Sequence, residues 1–170
     1  AKQYWGMYFD ALEVPQKREH KNAESFENIC LNYGYAVFQS LLYRSILIHG
    51  LLPNLGIHHE EKYNSTPLVY DLVEPFRAFV DFYLYKFKVN EGGSFKKKDL
   101  KAWNKYFAFC IKNYRLKAKE YSYKIIDYID IYIEEIVNSY IRFNVEKVVL
   151  PNLKEQYLHI DKHRNREYEE

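Results

Sequence analysis

The densest group of chemically active residues lies in the first half of the sequence. Two histidines, His58 and His59, are followed by Asp71, Glu74 and Arg77. On a helix, a spacing of three would place the two carboxylates and the guanidinium on one face. Imidazole and carboxylate ligands suit a divalent metal that keeps open coordination positions. Such an ion can activate a nucleophile and stabilise phosphoryl oxygens.

The same residues also have a purely structural interpretation. His58 and His59 could be ordinary surface histidines, and the series from Asp71 to Asp81 could be a ladder of ion pairs along one helix face. Apolar neighbours would pull this helix into the core, where unpaired carboxylates are costly. Spacing alone therefore favours the ion-pair ladder over a metal site.

Three segments, in this order along the chain, resemble the CRISPR-associated integrase family. Residues 28–36 read Asn-Ile-Cys-Leu-Asn-Tyr-Gly-Tyr-Ala, residues 51–59 read Leu-Leu-Pro-Asn-Leu-Gly-Ile-His-His, and residues 71–81 read Asp-Leu-Val-Glu-Pro-Phe-Arg-Ala-Phe-Val-Asp. The family has an Asn-initiated helix with a Tyr-Gly-Tyr-like sequence, then a Gly-x-x-His loop and an Asp-Leu-x-Glu-Pro-Phe-Arg helix. The resemblance covers residues 1–115, and the Leu-Gly-Ile-His-His form is most similar to integrases of single-effector (type II) systems.

This resemblance implies a catalytic site. The histidine of the Gly-x-x-His loop falls on His59 and the acid of the helix motif on Glu74, which the family uses as metal ligands. Asp71 matches a further catalytic acid, and His58 is a neighbour. Residues 1–5 resemble the end of a Glu-Gly-x-Ala-Ala-Lys-x-Tyr motif, so we expect the third ligand, a glutamate, just upstream of Ala1.

The implied activity is that of a metal-dependent DNA endonuclease and integrase. With Mg²⁺ or Mn²⁺ as cofactor, such an enzyme inserts foreign DNA fragments (spacers) into a CRISPR array by transesterification. The implied partners are double-stranded DNA, a second copy of the chain in a homodimer, and the small ferredoxin-like adaptation protein. We expect residues 1–170 to be a single helical catalytic domain, a fragment that lacks the amino-terminal β-domain and is truncated just after the upstream catalytic glutamate.

Charge is unevenly distributed along the chain. Residues 96–119 hold nine Lys or Arg against one Asp, whereas residues 120–170 hold seven against eleven acids. A basic segment attracts polyphosphates, although such runs are also common on solvated faces. With the resemblance, we expect backbone contacts to DNA from the following residues: Arg77, Lys96, Lys97, Lys98, Lys101 and Lys105. The interleaved Trp103, Tyr106 and Phe107 could be core residues or could pack on sugars.

Two other functions remain open from the sequence. The chain could be a non-catalytic helical module that binds DNA or a protein, with the His and acidic residues forming an ion-pair network. It could also be a transposon-encoded relative of the integrases with the same site and another DNA target. Residues outside this chain would discriminate between these alternatives.

The elements that must position these residues are predicted to be helices, giving an all-α fold. Helical spacing begins at Tyr4, and later helices are predicted over residues 22–49, from Thr66 into the late eighties, over 97–111 and over 120–142. Pro75 should kink the third helix or break it. A chain of 170 residues fits one domain.

Cysteine usage and hydropathy suggest an intracellular protein, and the resemblance implies the cytoplasm of a prokaryote. Cys30 and Cys110 lie far apart in apolar stretches, which predicts buried, reduced thiols rather than a zinc site or a disulfide. The sequence contains neither a membrane-spanning run nor a recognisable signal peptide, so we expect no membrane contact.

Overall fold

The computed structural model describes residues 2–15, 17–59, 66–90, 99–118, 121–142, 148, 150 and 151. This part of the chain is mostly helical, as predicted. The elements, in chain order, are α1 (Lys2–Ala11), α2 (Phe26–Ile48), α3 (Pro67–Asn90), α4 (Leu100–Asn113), β1 (Arg115–Ala118), β2 (Tyr121–Lys124) and α5 (Ile125–Arg142). No helix in these ranges is long and apolar enough to cross a membrane.

Helix α2 begins four residues later than the predicted start at 22. Ser25 is its N-cap, and the Ser25 hydroxyl accepts a hydrogen bond from the backbone N–H of Asn28 at 3.4 Å. Asn22 adopts a positive φ of 50°, which a right-handed helix does not allow. The helix ends before Gly50, whose φ of 74° favours glycine.

Helix α3 starts at Pro67 as predicted, and Pro75 does not break it. A proline inside a helix removes one backbone hydrogen bond and disfavours the preceding turn. Leu72, Val73 and Phe76 are buried on either side of Pro75. Burial of these side chains offsets the local cost, so the helix continues to Asn90.

The prediction of a helix from residue 120 was wrong for its first residues. Strand β2 pairs antiparallel with β1, with Leu116 opposite Tyr123. Tyr and Ser suit a short pleated ribbon, and Leu116 is buried beneath it. Helix α5 begins only at Ile125, whose backbone N–H bonds to the carbonyl of Tyr114 at 3.3 Å. The all-α fold therefore carries one small hairpin.

Aromatic side chains fill the core between α2, α3, α4 and α5. Phe38 stacks on Phe76 with ring centroids 5.4 Å apart, and Tyr132 contacts Phe76 edge-on at 5.3 Å. Trp103 and Phe107 are also buried. These two aromatics of the basic segment are therefore core residues, which excludes them from packing on sugars.

Gly34 of α2 packs directly against Val80 of α3. A Cβ at this position would collide with Cγ1 of Val80 and come within 3.3 Å of the Phe107 ring. The absence of a side chain here lets α2 pack closely against α3, the helix that carries Asp71 and Glu74. The thiols of Cys30 and Cys110 are buried and free, as predicted.

Candidate functional site

Residues 51–59, which follow α2, fold back against the first turns of α3. The backbone N–H of Leu51 bonds to the carbonyl of Ile46 at 3.0 Å, and that of Leu68 bonds to the carbonyl of Pro53 at 3.1 Å. A Cβ at Gly56 would collide with the backbone carbonyl of His59 and lie 2.8 Å from Cβ of Pro67. Glycine is therefore required for the loop to lie this close to α3.

The Asp71 carboxylate organises this loop. It accepts hydrogen bonds from three successive backbone N–H groups, those of Ile57 at 2.6 Å, His58 at 3.0 Å and His59 at 3.2 Å. Burial raises the pKa of Asp71, but these bonds and the His59 side chain outweigh burial and lower it below its usual value. Asp71 is therefore held as an anion that fixes the loop to α3.

His59 is oriented by the same carboxylate. Its Nδ1 lies 2.6 Å from Oδ1 of Asp71, and 40% of its side chain is exposed, against 7% for Asp71. An acceptor at Nδ1 keeps the proton on that nitrogen and presents Nε2 to solvent. Metal-binding histidines are commonly held in this way by a carboxylate. In this structure the carboxylate behind His59 is that of Asp71.

Glu74 lies one turn beyond Asp71 on α3. Its Oε1 accepts a hydrogen bond from Nη1 of Arg77 at 2.8 Å, and 54% of its side chain is exposed. Since residues three apart on a helix are surface neighbours, Glu74 follows Asp71 on the side that holds the His59 loop. An ion pair this exposed contributes little to stability, on the order of 1 kcal/mol or less.

Asp81 does not extend an exposed ion-pair ladder. It is buried and accepts hydrogen bonds from the hydroxyls of Tyr4 and Tyr35, while the Tyr8 hydroxyl bonds to its backbone carbonyl at 2.8 Å. Burial raises the pKa of Asp81. Asp71 and Asp81 each bind other groups, so the predicted ladder reduces to the single pair of Glu74 and Arg77.

The donor set fits part of a divalent metal site. His59 offers Nε2 and Glu74 offers a solvent-facing carboxylate, which are ligands suited to Mn²⁺ or Mg²⁺. Within the described ranges, no group of three His, Cys, Asp or Glu side chains is placed to hold a metal. Joint binding of one ion by His59 and Glu74 therefore stays a prediction, and it requires a further ligand.

The predicted DNA-binding residues divide into three groups. Lys101 and Lys105 are exposed and lie four residues apart on α4, hence on one face. Lys96, Lys97 and Lys98 lie outside the described residues. Arg77 belongs to α3, beside Glu74.

Comparison with known proteins identifies the family. A family model described as CRISPR associated protein Cas1 matches residues 1–108. The chain belongs to this family. The resemblance based on the three motifs is thereby confirmed, and the motifs that carry His59, Asp71 and Glu74 lie inside the match.

Related Cas1 proteins cover only part of this chain. CRISPR-associated endonuclease Cas1 1 of Pyrobaculum aerophilum is 34% identical over 97 residues, which are 54% of this chain and 32% of the relative. CRISPR-associated endonuclease Cas1 of Neisseria meningitidis serogroup C is 35% identical over 75 residues, or 44% of this chain and 24% of the relative. The matched part of the chain thus spans 24–32% of these relatives' length.

Two solved structures share the fold. A casposase bound to its integration product superimposes with a TM-score of 0.74 and 20% identity, covering 98% of this chain and 52% of that chain. A Cas6-RT-Cas1–Cas2 complex superimposes with a TM-score of 0.66 and 15% identity, covering 88% of this chain and 18% of that chain. The helical arrangement, including the region after the family match, is therefore one already seen in these proteins.

Sequence reasoning missed one residue of this Cas1 domain that lies close to the site. Arg18, in the loop before α2, donates from Nη1 to Oδ1 of Asn28 at 3.0 Å and from Nη2 to Oδ1 of Asn32 at 2.6 Å. Its guanidinium also lies over the ring of Tyr35. Two Asn residues spaced by four in an apolar helix were the available signal, because buried amides need polar partners.

Proposed function

We propose that this chain is the helical catalytic part of a metal-dependent DNA endonuclease and integrase that inserts spacers into a CRISPR array. The observation that carries the proposal is the pairing of His59 with Asp71. A loop that only glycine allows at position 56 brings His59 onto the carboxylate, one helical turn from Glu74. Fixed orientation of a partly exposed imidazole, with a second, exposed acid three residues after its carboxylate partner, is more than a structural ion-pair network requires.

The residues of this chain would act mainly by binding and orientation. Mg²⁺ or Mn²⁺, held by Nε2 of His59, the Glu74 carboxylate and a family glutamate upstream of Ala1, would supply Lewis-acid polarisation of the scissile phosphate. Asp71 holds the proton on Nδ1 of His59. Arg77 holds one Glu74 oxygen and leaves the carboxylate directed at solvent.

The reaction itself exchanges one phosphodiester for another. The 3′-hydroxyl oxygen of the incoming DNA forms a bond to phosphorus as the scissile P–O bond breaks. The attacking hydroxyl loses its proton and the departing oxygen gains one. With water in place of the hydroxyl, the same site would act as a nuclease.

The proposed partners follow from the family. They are double-stranded DNA, a second copy in a homodimer and the small ferredoxin-like adaptation protein. Membership in the Cas1 family and the structural likeness to a protein assembled in a Cas1–Cas2 complex support this set. Exposed Lys101 and Lys105 on α4 supply positive charge for sequence-independent contacts to the DNA backbone.

The test is strand joining by a protein extended upstream of Ala1, with Mg²⁺ or Mn²⁺ and a labelled DNA end. His59→Ala and Glu74→Ala should abolish joining while DNA binding and folding are retained, because these side chains act at the transition state and not in the core. His58→Ala is the matched control, since His58 is exposed and contributes only its backbone N–H to Asp71. Efficient joining by both the His59 and Glu74 variants would leave the non-catalytic DNA-binding module as the better function.

A further inference from the structure

Two arginines from different segments share one aromatic ring. The guanidinium carbon of Arg77 lies 4.8 Å from the ring centroid of Tyr35, and that of Arg18 lies 5.5 Å from it. Arg18 also lies 5.3 Å from the ring of Trp5. Cation–π contacts of this kind hold guanidinium groups in place without neutralising them. Two guanidinium groups are therefore fixed close together, and one of them, that of Arg77, is paired with Glu74 at 2.8 Å.

The charge of Arg18 has no direct carboxylate partner among the described residues. Its Nη1 and Nη2 donate to the side-chain oxygens of Asn28 and Asn32, and Nη1 also donates to the backbone carbonyl of Glu19, all of which are neutral acceptors. The nearby Asp81 carboxylate is occupied by two tyrosine hydroxyls. A partly buried, unneutralised cation is unfavourable unless an anion completes its surroundings.

The donors around this ring are incompletely satisfied. In the described part of the chain, Nε of Arg18 and Nε of Arg77 are both buried without a hydrogen-bond partner. Burial and the charge of Arg77 lower the pKa of Arg18, against the opposing effects of Tyr35, Asp81 and Glu19. Partial burial and both arginines lower the pKa of His20, so a third nitrogen-bearing side chain lies within reach of their charges. Like charges that converge in this way favour an anionic ligand.

We propose that Arg18 joins Arg77 in binding the phosphodiester backbone of the nucleic-acid substrate next to Glu74. This proposal rests on the proposed function for the identity of the anion. A guanidinium keeps its charge while its N–H groups bond to neutral acceptors, so Arg18 can still attract phosphate oxygens. The Tyr35 ring contacts both guanidinium groups and so holds them on one surface. Arg77 hydrogen-bonds to Glu74 at 2.8 Å, so backbone bound here would run beside the candidate metal ligand.

A structural role for Arg18 predicts different results. In a purely structural role, Arg18 would only hold the loop before α2 against Asn28 and Asn32. Its loss would then lower stability without changing the salt dependence of DNA binding. As a phosphate contact, Arg18 would contribute to that salt dependence, because each neutralised phosphate releases counterions. The two roles are separable by measuring both quantities on the same variants.

The first measurement is binding of a labelled DNA duplex to the chain over a range of salt concentrations. Arg18→Gln and Arg77→Gln should each weaken binding roughly 10-fold at about 0.1 M salt and reduce the slope of log K against log salt by about one. Arg44→Gln is the matched control, because Arg44 is exposed on α2 more than two turns beyond Tyr35. The control should keep the wild-type slope.

The second measurement needs no substitution and stands even if Arg18→Gln fails to fold. Titration of the ¹⁵N-labelled chain with pyrophosphate should shift the Nε–H resonances of Arg18 and Arg77 together. An unmoved Arg18 resonance, or an Arg18→Gln protein with reduced stability and an unchanged salt slope, would overturn the proposal and leave Arg18 a purely structural role. Neither measurement involves strand joining, so failure of the proposed function at His59 and Glu74 would be seen separately.

Discussion

Substitution of Asp71 by Asn should loosen the loop that carries His59, even with no metal present. The Asp71 carboxylate receives three backbone N–H groups and the ring N–H of His59. An Asn side chain keeps one oxygen acceptor and turns an NH₂ group toward the remaining donors, which conflicts with them. The variant should therefore unfold more easily, and His59 should lose its fixed orientation.

The magnitude follows from the exposure of the loop. A hydrogen bond to a charged group contributes about 1.5–3 kcal/mol to stability. The sum over the four bonds to Asp71 is therefore an upper limit on the stability that the variant loses. Ile57 is 62% exposed, and His58 is exposed as well, so water can replace part of what the carboxylate supplies. We expect a loss of about 2–3 kcal/mol in the free energy of unfolding. In the extended protein, Mn²⁺ affinity should fall by about 10–100-fold, as is usual when the carboxylate behind a metal-binding histidine is lost.

Urea unfolding of the metal-free chain, followed by tryptophan fluorescence, measures the loss of stability as a shift in midpoint of about 1 M. Glu134→Gln, which alters an exposed acid on α5, should change stability by less than about 0.5 kcal/mol. Calorimetric titration of the extended protein with Mn²⁺ measures the fall in Mn²⁺ affinity. Wild-type stability in metal-free Asp71→Asn would refute the role of Asp71 in holding the loop, and would leave it a metal ligand or a spectator.

Three further outcomes are expected. Gly34→Ala should destabilise the chain by about 1–3 kcal/mol in urea unfolding, because its Cβ would collide with Val80, and an unchanged midpoint would contradict this packing. Ser25→Ala should cost about 0.5–2 kcal/mol through loss of the α2 cap, and Ser25→Gly should cost less, so equal losses would speak against capping. The stability that Asp71 contributes should be fully present above the usual carboxyl pKa of 3.8 and be lost as the pH falls below 3.8 through the lowered pKa of the folded state. The difference in free energy of unfolding between wild type and Asp71→Asn should accordingly shrink only in that acid range. If this difference vanishes near pH 6 instead, the titration of another group is responsible.

Local pattern determined the helices and the candidate ligands. The sequence Thr66-Pro67 predicted the start of α3, and apolar spacing predicted the body of α2, because helix signals lie within a few residues of the helix they define. Prediction failed at residues 121–124, where Tyr and Ser suit either state. Pairing with β1 makes this segment a strand. Strand pairing depends on a contact with another segment, which the pattern of neighbouring residues does not show.

The same division holds for the site. The sequence by itself determined the family and the positions of His59, Asp71 and Glu74, since the motifs are contiguous and carry them in fixed order. Only the tertiary structure decided that Asp71 binds the His59 loop while Asp81 is buried under tyrosines, although both acids follow the same helical spacing. Spacing specifies which face of a helix a side chain occupies. Which segment packs against that face depends on the fold of the whole chain, and that contact determines whether a carboxylate orients a histidine or anchors the core.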